Sequence, residues 1–152
     1  MDKEAVDFLT EVAIQEKQFD ALYRNVSSRF ALPECPMWIL YYLSSADQPL
    51  SQQDLIEKML FPKQTINSAV MYLVRHGWAN LQVIPGTRNR KNVILTASGK
   101  EMAQSTVARM RSAEEKAVAH LGAEKMAMYS ALYHEFYAAM LQEFQKEGLT
   151  DA

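Results

Sequence analysis

The sequence predicts a mainly α-helical protein with one short β-hairpin, and three observations predict it. Apolar residues recur every three to four positions along most of the 152 residues. All five prolines lie at or before Pro85, so the last 67 residues contain no helix breaker of that kind. Only residues 79–84 and 92–96 have the short, branched-apolar character of strands. With 49% hydrophobic and 22% charged residues the chain can bury a core, which excludes global disorder.

Residues 4–30 hold Ala5, Phe8, Leu9, Val12, Phe19, Leu22, Tyr23, Val26 and Phe30 at helical spacing, which predicts a long amphipathic helix. After Pro33, residues 34–45 predict a second helix that tolerates Pro36 in its first turn. It is apolar nearly all round and belongs at the centre of its lobe. Asp47-Gln48-Pro49 is a turn. Ser51-Gln52-Gln53-Asp54 is a near capping box that opens a third helix, which Leu60-Phe61-Pro62 breaks. The next helix runs from Pro62 to His76 and stops at Gly77. It buries Ile66, Ala69, Val70 and Leu73 and leaves Lys63, Gln64, Thr65, Asn67, Ser68 and Met71 opposite. The two strands enclose a turn loaded with cations, Pro85 to Lys91. Ser98-Gly99-Lys100-Glu101 then reads as a capping box opening one helix to His120, and Gly122 separates it from a last helix over 124–146.

Charge is distributed by region. The net charge of −2 resolves into −5 over residues 1–60, +6 over 61–100 and −3 over 101–152. The middle window contains no carboxylate at all, which is the footprint of an anion-facing surface. Two short helices joined by a tight turn, a polar face on the second and a basic hairpin after it make a winged helix-turn-helix. The fold class is therefore mainly α: a winged helix-turn-helix lobe of three helices and a two-stranded wing (residues 34–97), with long N- and C-terminal helices (1–32 and 98–152) forming a dimerisation lobe within a single domain, 1–152. A recognition helix must enter a major groove about 12 Å wide with hydrogen-bonding side chains and a cation near its start. Lys63, Gln64, Thr65, Asn67 and Ser68 meet that need, with Ser51 and Gln52 at the start of the motif. Arg88, Arg90 and Lys91 supply the wing's cations.

On these residues the chain resembles the multiple-antibiotic-resistance regulator (MarR) family. The resemblance lies in Leu50 to Leu55, Thr65-Ile66 through Leu73, Gly77-Trp78 and Leu95-Thr96-Ala97-Ser98-Gly99, with Pro36 to Leu40 resembling the preceding aromatic-apolar helix. It implies a homodimeric regulator that binds double-stranded DNA at a palindromic operator, a repressor responsive to a small aromatic or apolar effector. The family's wing Asp and Arg fall on Thr87 and Asn89, so that pair is absent here. The alternative reading is a winged-helix protein that has lost DNA binding and acts through protein contacts. The apolar stripes of the terminal helices independently call for a partner, since one small lobe cannot cover both, with an intramolecular helical bundle as the alternative.

Other features point elsewhere or nowhere. Phe19, Tyr23, Trp38, Tyr41 and Tyr42 are candidates for lining an effector pocket, with plain core packing as the alternative. Cys35 sits near a helix start, where the dipole lowers a thiol pKa, against the alternative of a buried thiol. His76, His120 and His134 lack metal-ligand spacing, and His76 and His120 suit helix ends. No cofactor is expected. No nucleophile elbow, phosphate loop or zinc-protease motif occurs, so an enzyme is not expected. A single cysteine, no long apolar run and the acidic start Met1-Asp2-Lys3-Glu4 lead to the expectation of a cytoplasmic protein without membrane contact.

Overall fold

The computed structural model describes residues 3–151; Met1, Asp2 and Ala152 lie outside the described residues. The elements are α1 (Lys3–Arg29), α2 (Glu34–Ser45), β1 (Leu50–Ser51), α3 (Gln52–Met59), α4 (Lys63–Arg75), β2 (Ala79–Val83), β3 (Lys91–Leu95), α5 (Ala97–Ser105), α6 (Val107–Leu121) and α7 (Ala123–Lys146). The chain divides after Met110 into two compact units.

The first unit is built around α2. Met37, Ile39 and Leu40 are fully buried, and α2 packs on α1, α3, α4, α5 and β3. The expected periodicity of α4 is met: Ile66, Ala69, Val70 and Leu73 turn inward one helical turn apart, where Leu55 of α3 joins them. Each large side chain buried there removes enough apolar surface to contribute about 1.5–3 kcal/mol. Ser51 caps α3 as expected, since its hydroxyl accepts from the Asp54 N–H while the Asp54 carboxylate accepts from the Ser51 N–H. Leu60 ends α3 in the left-handed region at φ 54° and is 87% exposed.

Three expectations need correction. The sheet has three antiparallel strands in the order β1-β3-β2, because Leu50 pairs with Val93 and Ser51 with Asn92 along the edge of β3 that β2 leaves open. A two-residue strand carries no alternation for sequence reading to detect. The cap of α5 is Thr96 rather than Ser98: its Oγ1 accepts from the Gly99 N–H at 3.0 Å and donates to the Gly77 carbonyl at 2.6 Å. The Thr96 N–H meanwhile donates to Trp78 O, so a tertiary anchor selects the cap two residues early. Finally, the single helix expected up to His120 is two helices, interrupted at Thr106 (φ −122°, ψ −87°). The buried Thr106 hydroxyl donates back to Met102 O at 2.5 Å, competing with the backbone ladder, and the Thr106 carbonyl restarts the helix by accepting from Arg109 and Met110.

The C-terminal part of α1 meets the core through Tyr23 and Val26, and Phe30 joins them just beyond the helix end. Phe8, Leu9, Ile14, Phe19 and Leu22 remain exposed. In the second unit Gly122, at φ 86°, allows the sharp entry into α7. No residue of α7 is buried, and Met128, Tyr129, Leu132, Tyr133, Tyr137 and Phe144 are 43–60% exposed. Among the described residues no helix is long and apolar enough to cross a membrane.

Candidate nucleic-acid interface

The first turn of α3, one flank of α4 and the wing enclose a groove of about 270 Å³. Ser51, Gln52, Gln53 and Ile56 line it from the β1–α3 side, Lys63 and Asn67 from α4, and Asn89, Arg90 and Lys91 from the wing. Three cations and four amides thus face one concavity with no carboxylate in its lining, a surface suited to an anionic ligand. The sequence assigns Lys63, Asn67, Arg90 and Lys91 to one function, together with Ser51 and Gln52, and the fold brings all six to one groove. Sequence reading misses Gln53 and Asn89. Their only signal is position, next to the cap and inside the cationic turn.

The other residues of α4 separate by face. Gln64, Ser68, Met71 and Arg75 are exposed and recur at spacings of four, three and four, so they form one outward line opposite the buried stripe. Thr65 is exposed on the flank away from the groove, and Asn67 is half-buried on the flank towards it. Asn67 Oδ1 accepts from Gln52 Nε2 at 3.4 Å, a link between α3 and α4. Ser51 supports the groove wall rather than offering a free hydroxyl: it is 2% exposed, and its N–H and Oγ–H both donate to Asp54 Oδ2 at 2.7 Å. Those two bonds hold the Asp54 carboxyl below the usual Asp range; burial opposes the shift, while the charges of Arg90 and Lys58 act with it.

The wing owes its shape to its turn. Pro85 and Gly86, the latter at φ 78°, occupy the central positions of a turn closed by the Thr87 N–H donating to Ile84 O at 3.2 Å. The Thr87 hydroxyl donates to the same carbonyl at 2.8 Å, and Ile84 N–H donates to Arg90 O at 2.9 Å. Thr87 therefore ties the loop through its backbone. Arg88, Arg90 and Lys91 are all exposed on it. At the far end of α4, His76 Nδ1–H donates to Tyr72 O at 2.8 Å, and the imidazole stacks between Tyr72 and Trp78 at 4.0 and 4.8 Å. That is the helix-ending role expected of it.

Of the aromatic candidates, Tyr23, Trp38, Tyr41 and Tyr42 form a chain of tilted and edge contacts with centroids 4.8, 5.4 and 5.7 Å apart. Phe19, one turn before Tyr23, is 58% exposed. Burial pushes the Cys35 thiol up to about 11, with Glu34 adding to the shift, so at this site burial outweighs the helix dipole. Among the described residues no group of three or more His, Cys, Asp or Glu is placed to hold a metal ion.

No family model matches the sequence, and neither does any curated protein. Solved structures do match. NMB1585, a MarR-family regulator from Neisseria meningitidis, aligns over 91% of this chain and 97% of its own at 19% identity, with a TM-score of 0.78. MepR of S. aureus in complex with DNA aligns over 88% and 97% at 18% identity, with a TM-score of 0.70. NadR in complex with 4-hydroxyphenylacetate aligns over 84% and 89% at 18% identity, with a TM-score of 0.63. The chain has the winged-helix fold of the MarR-family regulators.

Proposed function

We propose that this chain is a MarR-family transcriptional regulator that binds double-stranded DNA sequence-specifically and is not an enzyme. The observation that carries the reading is the carboxylate-free groove joining Lys63, Asn67, Arg90 and Lys91, beside the exposed line Gln64–Ser68 of the same helix. Gln64, Thr65, Asn67 and Ser68 meet base edges, with Gln52 supporting them from α3, because amides and hydroxyls discriminate between bases. Arg88, Arg90 and Lys91 attract phosphate or the minor groove, as clustered cations attract any duplex. The DNA complex of MepR, which shares the fold, supports this use of the lobe.

The active form is a homodimer in which a second copy covers the exposed apolar residues of α1 and α7, so that two recognition helices meet a palindromic operator about one helical turn apart. Light scattering at micromolar concentration is expected to give about twice 17.3 kDa. A small aromatic or apolar effector, taken up near Phe19, Tyr23, Trp38, Tyr41 and Tyr42, releases the repressor from DNA. NadR with its bound hydroxyphenylacetate supports that reading. Selection of bound duplexes from a random pool tests the whole: a palindrome is the expected result. Failure to enrich any sequence, while the folded protein binds other proteins, favours the winged-helix protein that has lost DNA binding.

A further inference from the structure

The outward line of α4 runs Gln64, Ser68, Met71, Arg75: two hydrogen-bonding side chains, one apolar side chain and one cation. Met71 is 40% exposed and lies opposite the stripe that Ile66, Ala69, Val70 and Leu73 bury. At the helical rise of about 1.5 Å per residue it stands roughly 4.5 Å beyond Ser68 and roughly 6 Å before Arg75. The charges of α4 are Lys63 and Arg75 alone, so no carboxylate on this helix holds an anion away from its far end. A duplex that meets Gln64 and Ser68 and follows the helix to Arg75 therefore passes over Met71, one to two base steps of about 3.4 Å further on. A thioether donates no hydrogen bond and accepts only weakly. The alkyl group that a base presents in the major groove is the C5-methyl of thymine, and apolar side chains recognise thymine through it. Over a G·C pair the same side chain would strip water from polar base edges and return no hydrogen bond.

We propose that Met71 is a specificity-determining residue that selects thymine, through its methyl group, at a base pair beside those that Gln64 and Ser68 meet. The inference rests on the DNA-reading function proposed above and adds to it a base that no hydrogen bond reads. Duplex selection first gives the wild-type site. Uracil then replaces each thymine of that site in turn, which removes the methyl and keeps every hydrogen-bonding group. At one position per half-site the wild type is expected to lose about fourfold in affinity, the worth of one buried methyl. This comparison needs no variant to fold. Met71→Ala and Met71→Gln, the second keeping the length of the side chain but ending it in an amide, are each expected to bind the thymine and uracil duplexes equally at that position. Equal binding of every thymine and uracil pair by the wild type overturns the inference while leaving DNA reading intact, and so does a methyl effect that survives in either variant. Enrichment of no sequence by the wild type overturns both.

Discussion

Replacing Gly99 with alanine should strain the junction between the end of α4 and the start of α5. A Cβ built on Gly99 collides with the Trp78 carbonyl oxygen and lies 2.8 Å from its carbon, so the obstacle is backbone and backbone must move. That carbonyl accepts from the Thr96 N–H at 3.1 Å, and the adjacent Gly77 carbonyl accepts from the Thr96 hydroxyl at 2.6 Å. Displacing Trp78 therefore strains two hydrogen bonds of about 1 kcal/mol each and adds an overpacking cost of roughly 1–3 kcal/mol. Better helix propensity and a stiffer unfolded chain return at most about 1 kcal/mol. The net is a loss of about 2–4 kcal/mol, which for a chain of this size lowers Tm by roughly 5–15 °C. Calorimetry on the wild type, Gly99→Ala, Thr96→Ala and Ser98→Ala decides the matter. Thr96→Ala should cost about 1 kcal/mol for the lost cap, and Ser98→Ala almost nothing. A Gly99→Ala protein melting at or above the wild type would refute the close approach, and a large loss at Ser98 would restore the cap read from sequence.

Asp54→Asn is expected to destabilise the protein by about 1 kcal/mol at pH 7, through the weakened cap of α3. Because the folded carboxyl titrates below its unfolded value, the ionised group's contribution is complete above the ordinary Asp range and is lost as pH falls through the folded pKa. The gap between wild type and variant, read by urea denaturation, should therefore close below about pH 4 rather than widen. Cys35, with its pKa pushed to about 11, should have roughly one thiol in a thousand ionised at pH 8, so alkylation by iodoacetamide should be slow in the folded protein and fast in urea. Equal rates would remove burial as the cause. Leu60→Gly should stabilise by up to about 1 kcal/mol, since left-handed backbone costs a non-glycine residue roughly 1–2 kcal/mol and glycine's extra unfolded freedom takes back part. A lower Tm would mean that the exposed Leu60 makes an interaction worth more than its strain. Arg88→Ala with Arg90→Ala should weaken specific and random duplex binding alike. The pair should also flatten the log–log salt slope by about 0.9 for each phosphate no longer neutralised, taking both subunits together. A wild-type slope would make the wing a bystander.

What sequence reading recovers of the fold is local. The buried stripe of α4 needs only the 3.6-residue period, and the Ser51–Asp54 cap needs only four consecutive residues, so both are legible. Misassignments arise where two local patterns compete and a distant group decides between them. Thr96-Ala97-Ser98-Gly99 and Ser98-Gly99-Lys100-Glu101 both look like helix starts. The carbonyls of Gly77 and Trp78, nearly 20 residues earlier, select the first. Thr106 looks like any helical threonine until its burial turns the hydroxyl onto Met102 O and breaks the ladder.

The candidate site shows the same division, and it explains why composition finds the groove before geometry does. An acid-free window narrows the search, because any carboxylate near its cations must come from another segment, as Asp54 does near Arg90. It therefore points to Lys63, Arg90 and Lys91 without any knowledge of their distances. The face on which each polar residue of α4 lies is a matter of angle, and a one-residue step of about 100° is coarse enough to blur the outward line with its flanks. Asn67 thus reads in sequence as one more exposed polar residue, although it lies half-buried on the groove side with its oxygen held by a residue 15 positions away. A side chain's hydrogen-bonding capacity is set by its type, but how much of that capacity remains for a ligand depends on its neighbours in space. For Asn67 the neighbour that matters is Gln52, whose Nε2 donates to Oδ1 at 3.4 Å.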